Sequence, residues 1–363
     1  MGESDICGTR LERLRGAMLR EHLDAFLIWD RANTRYLSGF QGSASLICLL
    51  AEGGYFLTDF RYLAIAKDSV RHLRVVESKL PPGDQLARIL RRHHARSAGF
   101  EESVPYRVYN TWREKLRGVE LVEAAALVRR LRERKSREEL RLIVRAQRIA
   151  EKVLAQLLAR CRPGATERQL ARAAVRAIED EGGDGPSFDP IVAAGPNAAL
   201  PHHRPGERRL KKGDLVIFDL GARKDGYSSD MTRTVVVGRA TERQRRVYRT
   251  VLEAQRRAIA RVRDGVAARL VDRAARSRIE AKGLSAKFRH GTGHGVGLEV
   301  HEPPALNARS NDVLRSRMVV TIEPGVYIPG WGGVRIEDMV LVKRNGREVL
   351  SRFPKELIEC RSD

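Results

Sequence analysis

The stretch DLVIFDLGARKDGYSSDMTRTVVVG, residues 214–238, decides how the second half of this chain folds. Two apolar, largely β-branched runs predict strands, and the turn-forming residues GARKDGYSS between them predict a hairpin. Asp219 closes the first strand and Asp230 opens the second. A hairpin of this kind brings two carboxylates to the same end of a sheet.

Three further potential ligands follow inside short motifs. They are His294 in GTGHGVGLEVHE, Glu323 in TIEPGVY and Glu337 in GGVRIED. At about 4 Å and an effective dielectric of about 20, each pair of carboxylates sharing a cleft repels by roughly 4 kcal/mol. Two divalent cations would neutralise all four, and oxygen-rich ligands with one histidine suit manganese, cobalt, iron or a catalytic zinc pair. The five residues therefore predict a dinuclear site of the kind that makes hydroxide at neutral pH.

The order and context of these motifs resemble those of the pita-bread metallopeptidases. That family includes aminopeptidase P, prolidase and methionyl aminopeptidase, with creatinase as a metal-free relative. By this resemblance Asp219 is a terminal ligand of one metal, and Asp230 and Glu337 bridge the pair. His294 and Glu323 would complete the second site. The resemblance implies two divalent metal ions per chain, manganese first, with cobalt or zinc as alternatives.

The resemblance also assigns residues to catalysis. His202, in AALPHH, looks like the catalytic-pocket histidine of the family, and its neighbour His203 is expected to face solvent or to be a filler. His301, in EVHEPP, resembles the residue that hydrogen-bonds the substrate near the scissile bond. Glu323 is expected to accept a proton from water and pass it to the leaving nitrogen.

Two more residues of these motifs are expected near the site. His290 and His294 are four positions apart, which is metal-ligand spacing on a helix, but three nearby glycines favour a loop or a strand. His290 is therefore expected in the substrate pocket. Arg335 is expected to orient its neighbour Glu337, and a plain ion pair between these two residues remains an alternative to metal ligation.

The substrate expectation depends on the N-terminal part of the chain. In the resembling family the bond cut is Xaa–Pro, a tertiary amide with no N–H. The segments NTRYLSGF (33–40) and TDFRY (58–62) resemble the signature of bacterial aminopeptidase P, although QGSAS (41–45) departs from the usual Thr-Gly-Ser-Ser-Gly. We therefore expect an Xaa-Pro aminopeptidase acting on peptides with proline second, with Xaa-Pro dipeptidase (prolidase) as the alternative.

Three other activities are less well supported by the sequence. Methionyl aminopeptidase is disfavoured because about 120 residues of α/β pattern precede the catalytic part. Creatinase is disfavoured because all five metal ligands are present. A non-catalytic pita-bread module that binds protein or RNA is the remaining alternative, and such modules typically lose ligands.

The chain is long enough for two domains at 363 residues. Residues 1–125 contain a charged helical pattern at 9–22 and alternate apolar runs such as AFLIW (25–29) with helical patterns such as DQLARILRRHH (84–94). This predicts an α/β unit, and the resemblance makes it a creatinase/prolidase-type N-terminal domain. Residues 126–363 are expected to form the pita-bread catalytic domain, giving an α/β (α+β) protein.

Local signals predict several elements of the second domain. Capping boxes, in which a hydroxyl and an N3 side chain satisfy each other's backbone N–H, predict three helix starts. They are Ser136 with Glu139, Thr166 with Gln169, and Thr241 with Gln244. Strands are predicted over MVVTIEPGVYI (318–328), where Glu323 closes MVVTIE just before Pro324-Gly325, and over VRIEDMVLV (334–342), where Glu337 lies inside the strand, as well as in the hairpin.

Composition limits the partners and the compartment. The net charge is +22, but the 56 arginines are spread along the chain without a zinc finger, an RNP pattern or a basic tail, so no specific nucleic acid is expected. No stretch approaches about 18 apolar residues, which argues against a membrane span. The four cysteines are scattered and no leader is visible, so a cytoplasmic protein with reduced thiols is expected, as a homodimer.

Overall fold

The computed structural model describes residues 3–79 and 81–361. It divides the chain into two compact units, Met1–Arg132 and Glu133–Asp363. Both units contain helices and strands, so the predicted α/β class is confirmed. Among the described residues, no helix has both the length and the apolar character needed to cross a membrane.

The first unit is built on a six-stranded sheet. Its strands are β1 (Ala25–Ile28), β2 (Leu46–Leu50), β3 (Gly54–Thr58), β4 (Arg74–Glu77), β5 (Ser97–Phe100) and β6 (Glu120–Glu123). They lie in the order β4-β3-β2-β1-β5-β6, with β1 antiparallel to β2 and parallel to β5. The strand predicted at 25–29 is confirmed as β1.

Six helices are interspersed with the strands of this sheet along the described part of the first unit. They are α1 (Glu3–Arg20), α2 (Arg31–Ser38), α3 (Leu63–Ser69), α4 (Pro82–Arg92), α5 (Tyr106–Lys115) and α6 (Ala126–Glu133). The helix predicted at 84–94 is confirmed as α4, whereas the one predicted at 9–22 begins earlier and ends at Arg20. Leu86 and Leu90 of α4 and Trp112 of α5 are fully buried in one apolar cluster with β1 and β2.

Four long helices belong to the second unit. They are α7 (Arg137–Arg160), α8 (Glu167–Asp180), α9 (Glu242–Arg261) and α10 (Ala268–Glu280). The three predicted capping boxes are all confirmed: Ser136, Thr166 and Thr241 accept the N3 backbone N–H, and each N3 side chain accepts the cap's own N–H. Such a cap stabilises a helix by about 1 kcal/mol, which explains why these local signals locate the helix starts.

The strands of the second unit form four sheets. They are β7 (Gly185–Pro186), β8 (Ile191–Ala194), β9 (Leu215–Leu220), β10 (Ala222–Lys224), β11 (Tyr227–Ser228), β12 (Met231–Val237), β13 (Gly293–Gly295), β14 (Glu302–Leu306), β15 (Val319–Ile322), β16 (Gly325–Ile328), β17 (Gly332–Arg335), β18 (Asp338–Lys343), β19 (Gly346–Val349) and β20 (Ile358–Cys360). The two larger sheets have the orders β20-β12-β9-β8 and β14-β13-β15-β18-β19. Strands β16 and β17 form a separate pair, and β11-β10-β7 form the fourth sheet.

The predicted hairpin over 214–238 is confirmed. Strand β9 pairs antiparallel with β12, and Asp219 lies opposite Thr232 in the register. Asp230 immediately precedes β12, and the short strands β10 and β11 occupy the connection. Every residue of β12 is buried because its two faces belong to different cores: Val235 packs in one apolar cluster and Val236 in the other.

The two strand stretches predicted around Glu323 and Glu337 are both interrupted, as expected before Pro324-Gly325 but contrary to the prediction at Glu337. The stretch 318–328 breaks after Ile322, and the stretch 334–342 breaks at Ile336 and Glu337. At both breaks the chain passes between the five-stranded sheet and the β16–β17 pair. The backbone N–H of Glu323 instead donates to Thr292 O at 2.7 Å, and that of Glu337 to Thr232 O at 3.1 Å. Both acids therefore lie at sheet junctions, where their side chains leave the regular pleat.

Candidate metal centre and active site

The site residues picked out from the sequence converge on one cavity of the second unit. Its volume is about 1010 Å³. Its lining contains His202, Asp219, Asp230, His290, His294, His301, Glu323, Arg335 and Glu337. These residues come from five separate segments, so the fold and not the chain order brings them together.

Three of the five proposed ligands form the tightest group. Asp230, His294 and Glu337 each offer a ligand atom, and these atoms lie within 4.8 Å of one another. Glu323 lies beside this group, with its Oε1 3.3 Å from the Nε2 of His294. Asp219 lines the same cavity but lies outside the compact group, on β9.

The histidine of this group is oriented as a metal ligand. The Nδ1 of His294 lies 3.1 Å from Gly295 O, which fixes a proton on that nitrogen and leaves Nε2 facing the carboxylates. Nε2 lies 3.3 Å from Glu323 and 3.6 Å from Asp230. A lone pair that faces two carboxylates requires a cation between them, either a proton or a metal.

Two buried carboxylate oxygens of this cavity have no hydrogen-bond partner among the residues that the structure describes. They are Oδ1 of Asp219 and Oε1 of Glu337. An unsatisfied buried charge is costly, and neither oxygen is near enough to a donor to offset that cost. Both face the cavity into which Asp230 and His294 also project. Carboxylate oxygens with one imidazole are ligands suited to divalent cations, so the residues present fit the metals that the sequence predicted.

Asp230, Glu323 and Glu337 differ in their pKa shifts when no cation is bound. Burial first, and then repulsion from Glu337, raise the pKa of Asp230 well above its ordinary value. Burial and the charge of Glu323 raise the pKa of Glu337 in the same way. Burial would also raise the pKa of Glu323, but the hydrogen bond and charge of His294 outweigh it and hold that pKa at about 2. A divalent cation would therefore displace protons from Asp230 and Glu337.

Arg335 contacts a different carboxylate from the one predicted. Its Nη2 lies 2.5 Å from Oδ2 of Asp219, whereas its Nε donates to Thr232 Oγ1 at 3.1 Å. The Thr232 hydroxyl then donates to Oε2 of Glu337 at 2.8 Å. The guanidinium therefore reaches Glu337 through the Thr232 hydroxyl, and its direct carboxylate partner is Asp219.

A hydrogen-bonded chain links Arg335 to the substrate cavity. Its Nη1 donates to the Tyr327 hydroxyl at 2.8 Å, and that hydroxyl lies 3.0 Å from Nε2 of His290. The Nδ1 of His290 lies 2.7 Å from Gly291 O, so this ring carries its proton on Nδ1 and accepts from Tyr327. Burial lowers the pKa of His290, which keeps the ring neutral and able to accept. His290 lies in the cavity, as predicted.

Sequence reasoning missed three residues that hold the site. They are Tyr327, Thr232 and Thr321, whose hydroxyl accepts the His294 backbone N–H at 3.0 Å. All three lie inside the motifs TIEPGVY and DMTRT that were used to find the ligands. A hydroxyl next to a ligand is a usable signal, since ligands are commonly held by such partners.

Behind the ligands lies a buried guanidinium. Arg233 is 1% exposed, and its Nη2 donates to Asp338 Oδ1 at 2.8 Å. Its remaining N–H groups donate to the carbonyls of Thr232, Glu337, Phe353 and Pro354. Lys355 Nζ lies 2.6 Å from the other oxygen of Asp338. Residues 353–355 are thereby attached to the backbone of a proposed ligand.

The remaining predicted histidines divide into two kinds. His202 and His301 are exposed in the cavity, and the His301 ring centroid lies 4.2 Å from that of His294. Burial and the nearby His294 lower the pKa of His301. The expectation for His203 is wrong: its Nε2 lies 2.8 Å from Oε2 of the buried Glu167, and its side chain is only 13% exposed. Glu167, on α8, carries no motif that marks it as part of the site.

A buried set of carboxylates with one imidazole is typical of divalent-metal hydrolases. The chain belongs to metallopeptidase family M24, whose model matches residues 141–344, and the model of the Creatinase/Prolidase N-terminal domain matches residues 10–134. The predicted family is confirmed, and membership implies divalent metal ions and a metallo-exopeptidase hydrolase.

Three similar proteins span almost the entire chain. The Xaa-Pro dipeptidase of Pyrococcus horikoshii is 35% identical, over 98% of this chain and 100% of its own. The solved Xaa-Pro dipeptidase from Bacillus anthracis is 36% identical, with a TM-score of 0.94 over 97% of this chain and 99% of its own. The X-Pro aminopeptidase of Thermotoga maritima is 33% identical, with a TM-score of 0.90 over 96% and 99%.

Proposed function

We propose that this protein is a divalent-metal-dependent Xaa-Pro dipeptidase, or prolidase. The observation that carries the proposal is the convergence of five ligand-type residues on one cavity of about 1010 Å³. The substrate comes from the relatives, because those named Xaa-Pro dipeptidase match this chain at 35–36% identity from end to end. This support favours the dipeptidase over the aminopeptidase, so the order of preference taken from the N-terminal signatures is reversed.

We propose two metal ions per chain, with manganese first and cobalt or zinc as alternatives. Asp230 and Glu337 would bridge them, Asp219 would be a terminal ligand, and His294 with Glu323 would complete the second site. The two orphaned oxygens and the orientation of His294 support this assignment. When bound, the ions supply a water of lowered pKa and polarise the scissile carbonyl.

The side chains of the chain then have distinct roles. Glu323 takes a proton from the attacking water and passes it to the proline nitrogen as it leaves. Its carboxylate lies beside the group of Asp230, His294 and Glu337, with Oε1 3.3 Å from the Nε2 of His294. His202 and His301 face the cavity, where they donate to the oxygen that becomes negative and hold the substrate. Arg335 keeps Asp219 in place through the contact at 2.5 Å.

A second candidate is Xaa-Pro aminopeptidase activity. The Thermotoga maritima protein named for that activity superposes with a TM-score of 0.90, close to the dipeptidases. The segments 33–40 and 58–62 also resemble the aminopeptidase P signature. The two activities use the same chemistry and differ in the length of peptide accepted, so peptide length is the property that separates them.

The deciding experiment compares peptides of different length on metal-loaded enzyme. We expect kcat/KM for Ala-Pro to exceed that for Ala-Pro-Ala, and Ala-Ala to be a poor substrate because a secondary amide adds an N–H without an acceptor. Elemental analysis should show close to two divalent metals per chain, and a chelator should abolish turnover. Full hydrolysis by protein stripped of metal would contradict the metal proposal.

Each alternative has its own signature in this experiment. A preference for Ala-Pro-Ala, lost on N-acetylation, would assign the protein to the aminopeptidases. Equal cleavage of Ala-Pro and Ala-Ala would remove the proline specificity. Retention of metal without hydrolysis of any of these peptides would favour the non-catalytic binding module.

Three further expectations are proposals of the same kind. We expect a homodimer, to be measured by light scattering on purified protein. Cys48, Cys161 and Cys360 are buried thiols outside any disulfide, which supports a reducing compartment such as the cytoplasm. The domain limits 1–125 and 126–363 stay a prediction, to be checked by limited proteolysis.

A further inference from the structure

One buried carboxylate organises the loop that carries His202. Glu167, the first residue of α8, has no exposed surface. Its Oε1 accepts from Ala194 N at 2.8 Å and from Asn197 Nδ2 at 2.9 Å. Its Oε2 accepts from Gly206 N at 3.1 Å and lies 2.8 Å from His203 Nε2. A single side chain therefore fixes both ends of the segment 194–206.

The residues on either side of His202 are held from opposite directions. Arg335 Nη1 donates to Pro201 O at 3.3 Å, while His203 is held by Glu167. The exposed His202 ring lies between these two anchors, facing the cavity. The Arg335 anchor also contacts Asp219, so the same guanidinium connects the loop to a proposed metal ligand.

We propose that Glu167 and His203 are positioning residues for His202 in the hydrolytic reaction. The inference rests on the proposed function. Glu167 lies outside the cavity lining, and His203, although it lines the cavity, directs its Nε2 to Glu167. Their effect is exerted through the backbone of residues 201–203, which sets where the His202 ring lies. Displacement of a catalytic group by about 1 Å can lower a rate by about 100-fold, so the anchors matter to turnover.

The hydrogen bond between His203 and Glu167 is preserved only by substitutions that keep a donor at residue 203 and an acceptor at residue 167. The three other partners of Glu167 are N–H donors, so both its oxygens act as acceptors and His203 Nε2 is the fourth donor. His203→Gln keeps an amide N–H at about the reach of Nε2, whereas His203→Ala removes the donor. Glu167→Gln places an amide group among donors and therefore breaks part of the network.

The first test separates turnover from binding. His203→Ala should lower kcat for Ala-Pro by about 10–100-fold with little change in KM, because an oxyanion contact acts in the transition state. His203→Gln should recover most of that loss, and both variants should retain their metals. Loss of metal, or an equal loss in the Gln variant, would overturn the proposal.

The second test asks whether His203 acts through His202. In a His202→Ala background, adding His203→Ala should change kcat little, because the group being positioned is already absent. If the two losses instead multiply, His203 acts independently and the proposal is wrong. All kinetic comparisons use the full chain loaded with metal.

The third test does not depend on activity. Hydrogen exchange measured by mass spectrometry should be faster over residues 194–206 in Glu167→Gln, with exchange elsewhere in the second unit unchanged. Glu207→Gln is the matched control, since that exposed acid is on the same loop and pairs with Arg168. Unchanged exchange in Glu167→Gln would overturn the positioning role, whereas a wild type inactive on every Xaa-Pro peptide would overturn the proposed function alone.

Discussion

Two glutamates of this cavity have pKa values shifted in opposite directions because their neighbours differ. Glu323 faces His294 and keeps a pKa of about 2, whereas burial and the charge of Glu323 raise the pKa of Glu337. In the proposed mechanism Glu323 stays ionised, and Glu337 would become a ligand once a cation displaces its proton. The separation of roles comes from environment, as is common where two acids share a site.

Ligands and pocket residues should respond differently to truncation. Asp230→Ala or Glu337→Ala removes a proposed bridge, so metal content and activity should both collapse. His202→Ala should retain the metals and lower kcat by roughly 10²–10³, the range seen when one oxyanion donor is lost. Elemental analysis with kinetics on Ala-Pro checks both statements. An emptied site in His202→Ala would show that its assigned role is wrong.

Tyr327 offers a sharper test because its ring can be kept. Tyr327→Phe removes the hydroxyl that connects Arg335 to His290. We expect kcat to fall by about 10–100-fold with the metals retained, since the partners of ligands typically contribute this much. Tyr248→Phe is the control, because that hydroxyl donates to Lys355 O and lies outside the cavity lining. Equal losses in both variants would point to a general structural effect.

The ligands could be predicted from sequence because each lies in a local motif of several residues. The contact between Arg335 and Asp219 could not, since the two residues are 116 positions apart. The same limit applies to Glu167 and His203, which are 36 positions apart. A partner of this kind depends on how distant elements pack, and no pattern along the chain reports it.

At the scale of elements, capping boxes predicted helix starts more reliably than the apolar pattern predicted strand ends. The capping boxes located helix starts because both of their hydrogen bonds form within four residues. Pro324-Gly325 marked the strand end at Glu323, whereas the break at Glu337 was missed because the apolar pattern continues through it. What interrupts these strands is a change of sheet, which is a tertiary event that local pattern does not encode.

Strand β17 packs closely against the turn that precedes His202, and Gly333 of this strand leaves no room for a side chain. A Cβ added at Gly333 would lie 2.0 Å from Ala198 O. Gly333→Ala should therefore destabilise the protein by about 1–3 kcal/mol through overpacking and also lower kcat by displacing the turn. Calorimetry and kinetics on Ala-Pro measure the two effects.

The control for Gly333→Ala is Gly16→Ala, because the space around Gly16 can accommodate a Cβ. In Gly16→Ala the nearest atom to the new Cβ is 3.7 Å away, and Gly16 lies within α1. We expect a gain of up to about 1 kcal/mol there from helix propensity. A Gly333→Ala protein as stable and as active as the wild type would contradict the close packing.

At the scale of the whole molecule, metal binding and pH are linked to stability. Burial and neighbouring carboxylates raise the pKa of Asp230 and Glu337 when no cation is bound. A raised pKa contributes stability that is complete below the unfolded value of about 4 and is lost as pH rises through the folded value. Metal binding needs the deprotonated ligands, so the stability that it adds grows over the same range.

The gap in Tm between metal-loaded and chelator-treated protein should therefore widen as the pH rises above the unfolded carboxyl pKa of about 4. Differential scanning calorimetry of both forms across this range measures it. An Asp230→Asn, Glu337→Gln double variant should show little gap at any pH. A gap in the wild type that stays constant with pH would contradict the linkage.

The buried guanidinium of Arg233 also affects how the protein can fold while it is being synthesised. Arg233 and Asp338 are made well before Phe353, Pro354 and Lys355, which complete their hydrogen bonds and ion pair. While a nascent chain stops short of these residues, two buried charges lack part of their partners. The hydrogen bonds that hold Arg233 and Asp338 are therefore complete only once residues 353–355 have left the ribosome, so the catalytic unit should reach its full stability only after that segment is translated.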